Sequence, residues 1–218
     1  MKKFESYLSH RIDPDDNYKN LLEFPKYIEI ETVNACNARC PMCTINDWER
    51  NYPVMRDNVF NKISDELIEH KKHLKRVSLY RDGEPLIDKK LPQRINKFFE
   101  NGISNTSIAT NVSLLNEKKS REILEAGLGL VIMSIDSLKK DVFEKIRVRL
   151  NFETVKENAI KFLELRDKIN PNCRVWIRMI RQEDNKNEWD DYYKFWSKYA
   201  SDQDRIYYHN IFNWGGQL

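Results

Sequence analysis

Residues 130–135, Leu-Val-Ile-Met-Ser-Ile, form a short run that is nearly all apolar. A run of this length and composition suits a strand covered on both faces. The rest of the chain supplies its neighbours. Strand-like segments fall at about 27–32, 76–80, 106–110, 174–180 and 205–211, and helical apolar spacing falls at about 57–74, 88–101, 115–126, 139–147, 152–168 and 187–200. Six strands joined by helical crossovers imply an α/β chain with a parallel sheet and right-handed connections. The pattern leaves open whether the sheet is flat or curls into an open barrel. In either case ligands are expected at the C-terminal ends of the strands.

At 218 residues and 26.2 kDa the chain fits one domain, here read as an N-terminal extension over 1–26 and a core over 27–218. The net charge is only +3, so there is no electrostatic case for nucleic acid or an anionic membrane. No stretch of 18 apolar residues exists, which excludes a transmembrane helix. Met1-Lys2-Lys3-Phe4-Glu5 lacks the apolar run of a secretory signal. The expectation is a cytoplasmic protein with reduced thiols. In the helix at 187–200, Trp189, Tyr192, Trp196 and their neighbours Tyr193 and Tyr199 read as one apolar face packed on the sheet. The basic run Lys71 to Arg76 reads as a solvated helix end.

Three of the four cysteines stand just past the first strand, in Cys36-Asn37-Ala38-Arg39-Cys40-Pro41-Met42-Cys43. Thiolates at Cys-x3-Cys-x2-Cys spacing can wrap one metal centre from a single loop. A structural zinc and a cubane iron–sulfur cluster each present four positions. Three local cysteines therefore recruit a distant fourth ligand or leave one corner open. Cys173, the remaining thiol, precedes the fifth strand and belongs to the opposite end of a parallel sheet, so it is a poor fourth ligand. An iron corner open to a small molecule is the reading that remains.

This arrangement resembles the radical S-adenosylmethionine (SAM) superfamily. The resemblance continues in Asp82-Gly83-Glu84-Pro85 after the second strand, similar to the family's Gly-Gly-Glu-Pro. Thr110-Asn111, Ser134-Ile135-Asp136-Ser137, Ile146-Arg147 and Asn213-Trp214-Gly215-Gly216 resemble stretches of its SPASM-type branch. The matches run in order over about residues 27–216. The resemblance implies a parallel (β/α)6 partial TIM barrel. It implies a [4Fe–4S] cluster on Cys36, Cys40 and Cys43, with SAM on the open iron. Reductive cleavage of SAM would give a 5′-deoxyadenosyl radical that abstracts a hydrogen from a peptide, sugar or aminocyclitol substrate. A low-potential donor such as flavodoxin or ferredoxin would supply the electron.

By position, Asp82 to Pro85 would present backbone to the methionine amine, with Gly83 allowing close approach. Asn111, Ser134 and Asp136 would reach the ribose. Arg147 would pair with the methionine carboxylate, a role for which Arg178 competes. Three departures from the family stand out. Met42 replaces an aromatic, Asp82 replaces a glycine, and no cysteine-rich auxiliary-cluster domain follows the core in this sequence. The competing readings are a cluster- or SAM-binding relative without turnover, and a zinc module that adds one of His10, His70, His73 or His209.

Overall fold

The structure, a computed structural model, describes residues 24–47 and 53–211. Among these residues it forms one six-stranded, all-parallel sheet in the order β1 to β6. The strands are β1 (Tyr27–Glu29), β2 (Arg76–Ser78), β3 (Thr106–Thr110), β4 (Leu130–Ser134), β5 (Arg174–Arg181) and β6 (Arg205–Asn210). The helices are α1 (Asp57–Glu69), α2 (Leu91–Glu100), α3 (Glu117–Glu125), α4 (Lys140–Ile146), α5 (Phe152–Ile169) and α6 (Trp189–Trp196). The first two strands are shorter than the sequence pattern suggests, because the backbone leaves the sheet early to build the loops at its C-terminal edge. The residues expected at 205–211 and 57–74 likewise end in shorter elements, with Lys71–His73 a separate 3₁₀ turn. The proposed extension before residue 24 and the stretch Asn213 to Gly216 lie outside the described residues.

Alternate residues along β2 to β5 serve two environments. Val77, Leu79, Ile108, Val131, Met133, Val175, Ile177 and Met179 are fully buried in one core with Phe98, Phe143, Phe162 and Trp196 of the helices. The residues between them form the opposite, inner face, where Ser107 donates to Ser78 at 3.0 Å and Arg178 donates to Ser134 at 2.7 Å. This face curls. Arg76 of β2 and Arg205 of β6 both lie over the ring of Trp176 on β5, at 5.8 and 5.3 Å. In a flat sheet β2 and β6 would stand about 19 Å apart. The sheet is therefore a partial barrel whose polar interior opens at the C-terminal strand ends.

In α6, Trp196 and Tyr192 are buried and Trp189 packs edge-on against Tyr208 of β6 at 4.7 Å. Tyr193 and Tyr199 do not share that face and are exposed. The helix ends at Trp196, so Tyr199 lies beyond it, and Tyr193 turns away from the sheet.

The floor of the barrel is locked by a buried ion pair. Arg166 on α5 donates both terminal nitrogens to the two oxygens of Asp204 at 2.8 Å, and also donates to the carbonyl of Cys173. Asp204 accepts from the amides of Val175 and Ser201 as well. Burial alone would raise the Asp204 carboxyl, but Arg166 and these amides hold it below its ordinary value. The cysteine-bearing loop is held at the other end. Gly83 lies so close beneath it that an added Cβ would sit 2.1 Å from the Val33 carbonyl oxygen, and the Glu84 amide donates to the Ala35 carbonyl at 2.8 Å.

Two stability predictions follow from these contacts. Asp204→Ala leaves the buried guanidinium with only the exposed Asp167 on its Nε, so urea denaturation should show a loss of about 3 kcal/mol at neutral pH. Because the folded carboxyl titrates below its unfolded value, that loss shrinks as the pH falls through its range. Gly83→Ala should cost about 1–3 kcal/mol by overpacking and should raise the rate of limited proteolysis within residues 34–47. An unchanged cleavage rate would mean that the loop does not depend on this approach.

Candidate active site

The C-terminal strand ends gather the sequence-predicted residues into one place. The Cys36–Cys43 loop follows β1. Its start is pinned by an isolated bridge between Val33 and Val54 and by the Met55 amide donating to Thr32 at 2.9 Å. Its middle is pinned by the Arg39 amide donating to the Val148 carbonyl at 3.0 Å. Its end is a tight turn in which the Cys43 amide donates to the Cys40 carbonyl at 3.0 Å. None of the thiols at 36, 40 or 43 is in a disulfide.

Glu84 joins the ends of β2 and β3. It is 2% exposed and accepts from the Leu86 amide, the Thr110 hydroxyl and the Asn111 amide at 3.1, 2.8 and 2.8 Å. Burial raises its carboxyl above the ordinary value, and these donors, Asn111 first, oppose the rise. Pro85 opens the short 3₁₀ turn that follows. Asp82 has no positive φ, so the aspartate in place of the family's glycine carries no backbone strain. Gly83 is needed for close approach, as expected, but what approaches is the chain's own cysteine loop.

Asn111 is committed on both sides of its amide. Its Nδ2 donates to Asn37 Oδ1 at 2.9 Å and lies 3.8 Å from Cys36 Sγ. Its Oδ1 accepts from the Ser113 amide and hydroxyl, and Asn37 Nδ2 returns to Ser113 Oγ at 2.8 Å. This closed ring is what fixes the cysteine loop against β3. Val112, between Asn111 and Ser113, has a φ of 68°, unfavourable for a β-branched residue. Asn158 of α5 holds it there by donating to the Val112 and Ser113 carbonyls.

At β4, Asp136 is fully buried and uses both oxygens. One accepts from the Ile180 amide at 2.8 Å and the other from Arg147 Nε at 2.6 Å. Arg147 Nη1 lies 3.8 Å from Cys40 Sγ, and its buried Nη2 has no hydrogen-bond partner. Burial works against the Arg147 charge, but Asp136 and Cys40 raise its pKa above the usual value. Ser134 faces the interior and accepts from Arg178, whose buried Nε has no hydrogen-bond partner. Behind Asp136, Asn185 donates to its carbonyl, and Glu188 accepts from Ser137.

Sequence reasoning named the cysteines, Glu84, Asn111, Ser134, Asp136 and Arg147, and all of these lie at one end of the barrel. It missed Asn37, Ser113, Asn158 and Val112. Asn37 sat in plain view between two cysteines, but its partner is 76 positions away, and no local pattern discloses such a pair.

Burial pushes the Cys36 and Cys43 thiols up, so binding a metal as thiolates would release protons. Among the described residues, no three His, Cys, Asp or Glu side chains converge to hold a single metal ion. Thiolates of an iron–sulfur cluster bind different irons and need not meet at one point. Three thiols on one loop, with the Ala38 amide and two side-chain N–H groups donating to their sulfurs, therefore fit a cluster. Cys173 is buried at the N-terminal end of β5, and burial pushes its thiol up to about 12. It stands where the sequence placed it, away from the loop. His70 and His73 pack with Phe24 ahead of β2, at the same far end. His209 is on β6, and His10 lies outside the described residues.

Comparison with known proteins agrees with this geometry. The model of the radical SAM superfamily matches residues 30–195. A GTP 3′,8-cyclase of Clostridium perfringens is 32% identical over 169 residues, which are 74% of this chain and 49% of that protein. A tungsten-containing aldehyde ferredoxin oxidoreductase cofactor-modifying protein of Pyrococcus furiosus is 32% identical over 113 residues, 52% of this chain and 31% of that protein. The chain thus spans less than half the length of these relatives. The crystal structure of Streptococcus suis SuiB bound to S-adenosylmethionine superposes with a TM-score of 0.66 at 17% identity, covering 87% of this chain and 41% of that one. No described helix is long and apolar enough to cross a membrane. With the family model covering most of the barrel and both cysteine loop and strand ends in place, the chain belongs to the radical SAM superfamily, whose enzymes use a [4Fe–4S] cluster and SAM.

Proposed function

We propose that this chain is the catalytic core of a radical SAM enzyme acting on a small-molecule or peptide substrate, with residues 27–218 as that core. The observation that carries this reading is the cysteine loop, which hydrogen bonds from the loops after β1 to β4 hold in one orientation. When bound, the cluster and SAM supply reductive cleavage of the cofactor and the hydrogen abstraction that follows. The chain's own residues bind and orient. Cys36, Cys40 and Cys43 hold the cluster. Asp82, Gly83, Glu84 and Pro85 shape the backbone edge that receives the methionine amine. Arg147, anchored by Asp136, would offer its unpartnered Nη2 to the methionine carboxylate. Ser134 lines the same wall beside Arg178. Asn111 and Asp136 would reach the ribose and also hold the loop and Arg147. The electron would come from a low-potential donor of the flavodoxin or ferredoxin kind.

Anaerobic reconstitution with iron and sulfide, followed by dithionite and SAM, should yield 5′-deoxyadenosine by chromatography. The triple variant Cys36→Ala, Cys40→Ala, Cys43→Ala should yield none above background. Equal traces in the two proteins would leave a cofactor-binding relative without turnover, and a colourless protein holding one zinc would overturn the cluster.

Glu84 gives a pH prediction for the cluster-free protein. Its carboxyl is raised on folding, so its stabilising contribution is complete below the ordinary carboxylate value and is lost as the pH rises through the raised one. Urea midpoints of the wild type should therefore gain on those of Glu84→Gln as the pH is lowered from neutral to mildly acidic. A constant difference would show that Glu84 titrates normally.

A further inference from the structure

Two side-chain N–H groups point at sulfur. Arg147 Nη1 lies 3.8 Å from Cys40 Sγ, and Asn111 Nδ2 lies 3.8 Å from Cys36 Sγ. Neither is a chance approach. The Arg147 guanidinium is fixed at Nε by the fully buried Asp136, whose second oxygen is tied to the β5 backbone at Ile180. The Asn111 amide is fixed by the ring through Asn37 and Ser113 and by the strained turn at Val112. Both donors are almost fully buried, so water screens them little. Hydrogen bonds and positive charge next to cluster thiolates stabilise the more negative, reduced form, and this is one of the levers that set an iron–sulfur potential. A second cation, Arg39, stands on the cysteine loop itself and is a natural control. It is exposed and donates only to the carbonyl oxygens of Cys36 and Ala38.

We propose that Arg147 and Asn111 are positioning residues of the cluster, donating N–H···S hydrogen bonds to the Cys40 and Cys36 thiolates and so raising its reduction potential. This rests on the cluster reading above. It concerns a single electron, passed from an external reductant to the cluster, with no bond made or broken in the protein and no proton moved.

The test is an EPR-monitored redox titration of the reconstituted protein with dithionite and mediators, in the absence of SAM so that its carboxylate plays no part. Arg147→Gln should shift the midpoint to more negative values, so that less cluster is reduced at a fixed potential. Arg147→Lys, which keeps the charge, should recover much of the shift. Asn111→Leu should shift it in the same direction by a smaller amount. Arg39→Gln, which removes one positive charge from the same loop without touching sulfur, should leave the midpoint where it is. Iron and sulfide contents measured on each variant separate a lost cluster from a shifted one. A midpoint in Arg147→Gln equal to that of the wild type, or an equal shift in Arg39→Gln, would overturn the proposal while the cluster stands. A wild-type protein that assembles no cluster would overturn the underlying reading and the proposal with it.

Discussion

One buried carboxylate organises this end of the barrel. Glu84 takes hydrogen bonds from the turn that follows it and from the end of β3, while its own amide bonds the cysteine loop after β1. Three successive strand ends thus meet at one residue that has little contact with water. A buried carboxylate is costly unless nearly every lone pair is used, and three donors are what make this one tolerable. The two donors from β3, the Thr110 hydroxyl and the Asn111 amide, tie Asn111 and the ring through Asn37 and Ser113 to this carboxylate. The cysteines are placed by this joint rather than by their own spacing.

The second half of the site follows a similar logic with the charges reversed. Asp136 is fully buried and balanced by Arg147, and the pair fixes a cation against the Cys40 sulfur. The β4–α4 loop that carries Asp136 is in turn held by Asn185 and Glu188 from the far side of β5. Carboxylates and amides in the shell around the cysteines therefore orient the two side-chain donors that face their sulfurs. This is the usual division of labour at a metal centre, where outer groups aim the inner ones. The arrangement leaves Arg147 with one buried nitrogen, Nη2, that has no hydrogen-bond partner, a donor free for an anionic group of a cofactor.

Much of this was legible in the sequence, for reasons that can be named. The strand–helix alternation survives in the chain because each element must bury an apolar stripe or face, and period and burial are local properties. The cysteine triplet and Gly83-Glu84-Pro85 are local as well. What sequence could not show were pairings across the barrel, such as Asn37 with Ser113 or Asn158 with the turn at Val112, because nothing in the neighbourhood of either partner encodes the other. Valine offers no hint of a positive φ. The aromatic run of α6 was overread for the opposite reason, since aromatics at nearby positions look alike in sequence and only packing shows that Tyr193 and Tyr199 face water. Asp82 taught a smaller lesson: the family glycine it replaces is not demanded by backbone conformation here, whereas Gly83 is demanded by a carbonyl pressed against it.

The central claim is that the preset loop holds a cluster with one iron open to SAM. EPR of the reconstituted, dithionite-reduced protein, recorded without and then with SAM, tests it most directly. The account predicts the signal of a singly reduced [4Fe–4S] cluster whose shape and g-values change when SAM is added, because SAM binds the iron that the three cysteines leave open. A cluster signal that SAM leaves unaltered, or a protein that binds metal with no such signal, would contradict it.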